Sequence, residues 1–546
     1  MTFQLTEFQQ DIIKECLTME NGGGLSLPVG TGKTLLSLYL GKEYKKVHKK
    51  PFLVVCAKSL IGSWEHEIKK FFDSSMKYLV IHNSYTKNIE EIMEKDLDEI
   101  DCVLTTPEMV TKGYKEFNID EHITYSTYNG FGYVKNYRFP SSPLRKEINN
   151  GIGLLFSTPW SSMFVDECHK YTNISAKVTR ALIGVYSCKK WLLSGTIMSE
   201  PSYERIIGFH YLLYDKTIPS NVTDCQEFIK RGKYIGFKHL LVHRDKNLSY
   251  ITPEINEVII EHKLDKYEET MYESIKNFIV NISKKLQKNQ KVKNKELSKK
   301  LRSKMLSSFI YLRQALICPI IPLTGTIVSS YNDSEKEDND TLCGYILEDL
   351  NKSILKDWVK TEESVKSTRI KEILKVLEKH DERCVIFTSF RKVLEVIKYF
   401  IDREVFTLES SQSSIKRQKI LDDFSKSKNG VLCLTYDIGA EGLNLQCCRN
   451  ILITDFWWNC GKTHQAIGRI NRYGQQAKSL NVYYFTSNVA IEKGIFDKHK
   501  VKKEAIDKIK NGERVSISKI NLSFKEIVKM IDAGTNSKKL KEINYI

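Results

Sequence analysis

Three short stretches of this chain combine residue types that phosphate chemistry requires. The first is Gly30-Thr31-Gly32-Lys33-Thr34, which closes the apolar run and opens the amphipathic pattern of "LSLPVGTGKTLLSL" at 25–38. Glycines let backbone N–H groups approach the β- and γ-phosphates of a nucleotide, a lysine neutralises them, and a threonine hydroxyl completes a Mg2+ shell. A helix starting there turns its positive dipole end toward the phosphates. Leu27 stands where the strict pattern has glycine, but Gly30 and Gly32 keep the close backbone approach. On these residues alone, a glycine-bearing turn capping an ordinary helix is the alternative. The second stretch, Asp166-Glu167-Cys168-His169, follows the apolar run "SMFVD". A carboxylate at the carboxyl end of a strand beside such a loop can hold Mg2+ through water, and its neighbour can orient and deprotonate the attacking water. Surface charge is the plainer reading of a D-E pair, and the position after an apolar strand speaks against it. The third stretch, "QAIGRINRYGQ" at 465–475, carries Arg469 and Arg472 three residues apart. On one helix face they could reach a γ-phosphate as an arginine finger, or form a solvated basic face.

These residues need rigid elements to carry them. Runs rich in β-branched and apolar residues recur at 52–57, 102–106, 162–167 and 190–196, with helical patterns such as "SWEHEIKKFF" at 63–72 between them. That rhythm predicts a parallel sheet with helices on its faces. It returns at 384–389, 431–436, 450–455 and 481–487, which predicts a second α/β unit. Between the two, residues 262–318 read as helical with a lysine-dense stretch at 284–300, and the acidic 329–341 reads as disordered. The last fifty residues are lysine-rich and helical in pattern.

A chain of 546 residues is too long for one core, and at roughly 150 residues per domain predicts two to four. A net charge of +17 favours a polyanionic partner such as nucleic acid. The thirteen cysteines form no C-x-x-C pair, and Cys56, Cys102, Cys384 and Cys433 sit in apolar runs. Reduced, buried thiols fit this pattern better than a disulfide framework or a zinc site. No signal peptide and no membrane-length apolar run is evident, which predicts a soluble protein inside a cell or a virion, without a membrane partner. Nucleus, cytoplasmic viral factory and virion are equally compatible with this.

Together these stretches resemble a superfamily 2 helicase-type ATPase, and more narrowly the Swi/Snf-type DNA translocases. The resemblance runs in order over about residues 5 to 500. It includes "LTEFQQ", "PFLVVCAKSLIGSWEHEIKKF", "LTTPEM", "LLSGTIMSE", "LVHRDK", "FIYLRQALICP", "GAEGLNLQ" and "DFWWN". Ala57, Ile197 and Cys460 stand where that family usually has proline. A tyrosine-rich insertion between 110 and 160, with Tyr114, Tyr125, Tyr128, Tyr133 and Tyr137, could stack on bases or pack its rings on the lobe as a surface hairpin.

The resemblance implies an α/β fold of two RecA-like parallel-sheet lobes with helical insertions between them. The expected segments are lobe one at 1–245, a helical inter-lobe region at 246–360, lobe two at 361–495 and a basic helical tail at 496–546. It implies ATP and Mg2+, with Gln9 at the adenine, Gly30, Thr31, Gly32, Lys33 and Thr34 at the phosphates, and Thr34 and Asp166 at the metal. Gly442 and Gln465 join the nucleotide site from lobe two; Lys33, Asp166, Glu167, Arg469 and Arg472 carry hydrolysis, completed when the lobes close. The implied function is ATP-driven movement along double-stranded DNA, in a transcription or chromatin complex. Richness in Lys, Asn and Ile is similar to that of motors encoded by large DNA viruses, some of which act in transcription termination. An RNA helicase or RNA-polymerase-associated viral NTPase, and a catalytically silent nucleic-acid-binding scaffold, are the alternatives.

Overall fold

The computed structural model describes residues 5–27, 31–119, 124–126, 136–138, 151–173, 176–195, 205, 208–209, 212–213, 241–243, 253–292, 294–322, 361, 364–439, 443–456, 460–471, 475–510, 515, 520 and 524–535. The chain forms two compact units, one of residues 1–251 with 503–517 and the other of 252–502 with 518–546. Four segments are expected from the sequence; the structure draws one division, placing the inter-lobe helices in the second unit and parting the basic tail between both.

The first unit is built on β1 (Gly22–Ser26), β2 (Phe52–Val55), β3 (Tyr78–Ile81), β4 (Cys102–Thr105), β7 (Met163–Asp166), β8 (Lys190–Ser194) and β9 (Leu241–His243). All pair in parallel, in the order β3-β4-β2-β7-β8-β1-β9. Successive residues of these strands point to opposite faces, and both faces are buried. Leu53, Val55, Val103, Val165 and Leu192 join one core, while Phe52, Val54, Leu104, Phe164 and Trp191 join the other. Double burial is why the strands read as unbroken apolar runs. An antiparallel pair, β5 (Thr124–Ser126) and β6 (Asn136–Arg138), sets Tyr125 opposite Tyr137 within the tyrosine-rich insertion. Tyr114 instead lies on the helix Pro107–Glu116 and is buried in the core, so it cannot stack on bases. Tyr128 and Tyr133 lie outside the described residues.

The second unit holds β10 (Glu254–His262), β11 (Cys384–Thr388), β12 (Val405–Thr407), β13 (Val431–Thr435), β14 (Asn450–Ile453) and β15 (Ser479–Ser487), again all parallel, in the order β10-β15-β14-β11-β13-β12. Here too the strands are covered on both faces, with Val385, Phe387 and Ile451 on one side and Ile386, Cys433 and Leu452 on the other. The lysine-dense stretch falls on the helices Lys266–Val292 and Lys295–Ala315, which pack on each other. The acidic stretch at 329–341 lies outside the described residues. Cys56, Cys102, Cys384 and Cys433 are all buried as free thiols, and burial pushes Cys384 and Cys433 up to about 12. Among the described residues no helix is long and apolar enough to cross a membrane.

Charge is also buried in the second unit, and it is paired. Arg369 donates from Nη1 to Glu492 Oε1 at 2.8 Å and to the Thr454 carbonyl at 3.1 Å, and from Nη2 to Glu492 Oε2. Glu492 Oε2 also accepts from the Ser487 amide at 2.7 Å and from its hydroxyl at 2.6 Å. Close by, at the end of β10, His262 is 6% exposed. Burial, reinforced by the Arg369 charge, pushes its imidazole down to about 3. The folded unit therefore binds no proton at His262 where the unfolded chain does, below a pKa of about 6.5. Stability from this group is full above that pH and is lost as the pH falls toward 3. Urea titrations at pH 7.5 and 4.5 should show the parent losing about 2–3 kcal/mol more than His262→Phe. Equal losses would show that His262 does not charge on unfolding.

Candidate active site

In the first unit, parallel register brings the carboxyl ends of β1, β7 and β8 to one level. Ser26 lies opposite Ser194, and Asp166 opposite Leu193. Such an edge is where open α/β sheets bind ligands. The pairing of β1 with β8 is very tight: at Gly22, with φ +87°, a Cβ would meet the Lys190 carbonyl oxygen at 2.0 Å. Beyond β1 the chain enters the helix Lys33–His48 through Gly32, its N-cap, with φ +86°. Lys33 Nζ donates to the Leu27 carbonyl at 2.9 Å, so the ammonium turns back toward the end of β1. Thr31 is buried, Thr34 lies in the first turn of the helix, and Gly30 is outside the described residues.

Gln9 reaches this loop from the helix Glu7–Thr18. Thr6 and Gln9 form a capping box, in which the Thr6 amide donates to Gln9 Oε1 at 3.2 Å. With Oε1 committed there, Nε2 donates to the Thr31 carbonyl at 3.4 Å. The cap thus orients the amide against the backbone of the loop.

Asp166 ends β7. The Trp64 indole N–H donates to its Oδ2 at 3.2 Å and the Glu167 amide to its Oδ1 at 2.9 Å. Burial, with the neighbouring Glu167 carboxylate adding to it, pushes Asp166 up to about 6 against the opposing charge of Lys33. Glu167 takes a left-handed backbone at φ 49°. Its Oε2 lies 3.3 Å from His169 Nδ1, which is also 2.9 Å from Ser194 Oγ at the end of β8. Burial holds His169 below its ordinary pKa, favouring a neutral ring that links the acidic pair to β8. Arg205 donates to the His169 carbonyl at 3.2 Å. Trp64, Ser194 and Arg205 are not among the site residues the sequence suggests, whereas His169 belongs to the Asp166-Glu167-Cys168-His169 stretch that it singles out. Trp64 and Ser194 do lie inside "SLIGSWEHEIKKF" and "LLSGTIMSE", which gave the only signal.

In the second unit, Arg469 is 3% exposed on the helix Cys460–Ile470. Its Nε donates to the Gly439 carbonyl at 2.7 Å, and its own carbonyl accepts from the Leu445 amide at 3.1 Å. Arg469 therefore clasps both ends of the 439–445 segment, and a solvated basic face is excluded for it. The helix ends at Ile470, and Arg472 and Gly442 lie outside the described residues. Gln465 is buried on that helix. Asp455, from "DFWWN", accepts at Oδ1 from Thr388 Oγ1 at 2.7 Å and the Ser389 amide at 2.9 Å, and at Oδ2 from Arg313 Nη2 at 3.0 Å. Arg313 comes from "FIYLRQALICP", and its guanidinium lies 5.1 Å from the Phe390 ring centre.

The SNF2-related domain family matches residues 11–319, and the helicase conserved C-terminal domain family matches 365–474. The chain belongs to the SNF2-related family. It is an SNF2-family ATPase, a hydrolase of helicase superfamily 2, and its two parallel-sheet units are the RecA-like lobes of that fold. This SNF2-related chain is 25% identical over 532 residues to putative helicase 172L of Invertebrate iridescent virus 6, covering 87% of itself and 82% of that protein. It is 22% identical to the ISWI chromatin-remodeling complex ATPase ISW2 of Saccharomyces cerevisiae, over 94% of itself but only 41% of the yeast protein. Among solved structures, the Sulfolobus solfataricus SWI2/SNF2 ATPase core in complex with dsDNA aligns over 97% of both chains at 18% identity, with a TM-score of 0.37.

The loop geometry makes two glycines of the SNF2-related chain behave oppositely. A Cβ at Gly32 would sit 2.8 Å from Gln9 Nε2 on a left-handed backbone, whereas one at Gly62, in the helix Ile61–Phe71, would meet nothing within 4 Å. Gly32→Ala should cost about 1–2 kcal/mol in denaturant unfolding of the first unit. Gly62→Ala should be neutral or stabilising by up to about 1 kcal/mol.

Proposed function

We propose that this ATPase is a motor on double-stranded DNA, in which Lys33, Asp166 and Glu167 hydrolyse ATP and an arginine from the other unit makes turnover conditional. The observation that carries the reading is the convergence of the Lys33 loop, the acidic pair and Ser194 on one edge of the first sheet. Lys33 exchanges its bond to the Leu27 carbonyl for the β- and γ-phosphates. Amides at Thr31 and Gly32 cradle them, and Gln9 fixes that loop beside the base. Glu167 accepts the proton of the attacking water as the bond from the γ-phosphorus to the β,γ-bridging oxygen breaks, leaving ADP and phosphate. His169, poised against both Glu167 and Ser194, holds that carboxylate in place.

The donor set fits Mg2+. Asp166 is a buried carboxylate repelled by the neighbouring Glu167, which favours a cation beside it, and Thr34 offers a hydroxyl in the first turn of the helix. Asp166 and Thr34 would hold the ion, which when bound offsets phosphate charge. From the second unit we assign Arg472 to the γ-phosphate, with Arg469 as the residue that positions the 439–445 segment and Gln465 and Gly442 beside the nucleotide. Hydrolysis then depends on the two units coming together, which nucleic acid promotes by binding both.

The net charge of +17 supports a nucleic-acid partner, and double-stranded DNA is favoured by similarity to the ATPase of a chromatin-remodeling complex. Phosphate contacts need no base sequence, as a translocating enzyme requires. The viral relative, described as a putative helicase with no nucleic acid named, is compatible with a second reading, an NTPase acting with RNA or an RNA polymerase. ATPase rates with duplex DNA, single-stranded DNA and RNA separate the two. Duplex DNA should stimulate most; a preference for RNA would establish the second reading.

Two variants test the assigned roles. Glu167→Gln should bind ATP normally and turn it over about 10²–10⁴-fold more slowly, the usual worth of a general base. Arg472→Ala, assayed at saturating duplex DNA and low salt, should keep its ATP affinity and lose about 10³–10⁵ in rate. Recovery of the parental maximal rate with more DNA would make Arg472 a DNA contact instead.

A further inference from the structure

The outermost strand of the second sheet plays no part in this chemistry, and its surface is unusual. β10 is last in the strand order and pairs with β15 over all nine residues, from Glu254 opposite Ser479 to His262 opposite Ser487, without a bulge. Among the described residues no strand pairs with its other edge. Long edges invite pairing, and proteins usually shorten them, break them with proline or a bulge, or place charged side chains, lysine above all, on them. β10 is nine residues long with no proline and no bulge, and the charges it carries are glutamates. It leaves Ile255, Val258 and Ile259 between 38% and 49% exposed.

Its charge is as distinctive as its length. In a chain of net charge +17, the strand EINEVIIEH carries three glutamates and neither lysine nor arginine. Alternation along a strand puts Ile255, Glu257, Ile259 and Glu261 on one face. The Tyr484 hydroxyl of β15 donates to Glu257 Oε1 at 2.9 Å, and Lys493 of the helix Ala490–Lys510 pairs with Glu261 at 2.9 Å, so both carboxylates are fixed on this face, on the β15 side of the strand. That face therefore reads apolar, acidic, apolar, acidic.

We propose that the free edge of β10 docks an extended peptide segment of a partner protein, one that adds as a further strand and carries alternating apolar and basic side chains on its matching face. Main-chain hydrogen bonds to the open edge give affinity, and the Ile255, Glu257, Ile259, Glu261 row gives the pattern. A second copy of this chain is a poor occupant. Two β10 edges side by side would bring three glutamates against three, and like charges across strands destabilise.

The test uses the full chain and a fluorescein-labelled peptide of repeating Ile-Thr-Lys-Thr, followed by anisotropy. The peptide should bind saturably. Replacing its lysines by glutamate should weaken binding by about tenfold or more, and so should Ile259→Lys in the protein. DNA-stimulated ATPase should stay at the parental rate in that variant, which shows that it is folded. Two peptide isomers N-methylated at alternate amides separate strand addition from simple charge attraction. The weaker isomer should lose about tenfold or more, because one edge of the peptide must donate to β10. No saturable binding, equal binding of the glutamate peptide, indifference to Ile259→Lys, or full binding of both methylated isomers would each overturn the proposal. So would a concentration-dependent dimer that Ile259→Lys abolishes, which would make a second copy the occupant.

Discussion

The parallel pairing of β1 with β8 is the constraint on which the first unit's chemistry depends. Gly22 has no room for a side chain against the Lys190 carbonyl, so only glycine there admits the close approach of the two strands in their observed register. With that register fixed, Ser26 and Ser194 end level, and the loop after β1 opens beside the acidic pair after β7. Lys33, Asp166, Glu167 and His169 then need little further positioning. A capping box turns Gln9, one indole holds Asp166, and one hydroxyl holds His169.

The second unit solves a similar problem with buried charge. Asp455 and Glu492 each accept from an arginine and from serine or threonine groups, so their lone pairs are occupied. Breaking such a pair from one side strands the other charge, which ties these positions together far more strictly than apolar packing would. Through Arg313 the helix Lys295–Ala315 is fastened to the residues just before the helix that carries Arg469. The helical insertion is thus an extension of the second sheet rather than a loose linker.

Much of this was legible in the sequence, for a definite reason. Strands covered on both faces are unbroken apolar runs, so β2, β4, β7, β8, β11, β13 and β14 stand out, and the phosphate loop and acidic pair stand out at their ends. β12 is three residues long and β10 is exposed and half polar, so neither carries that signature, while β1 shows it only at its end, where Leu25 and Ser26 open the apolar run before the glycine-bearing turn. Arg469 looks like a surface arginine because burial of a charged residue depends on a partner, here the Gly439 carbonyl, thirty residues away. Trp64 is one aromatic among several in an amphipathic helix, and only the folded chain brings it to Asp166, 102 positions downstream.

The buried cysteines have a consequence for how the two units can be watched. Cys56 and Cys102 sit in the sheet core of the first unit, and Cys384 and Cys433 in that of the second. Burial keeps each thiol protonated and closed to electrophiles, since only the thiolate reacts. Each sheet therefore contains its own chemical clock: a thiol is alkylated only when the strands around it part, so the rate at which each cysteine is modified measures how often its own unit opens.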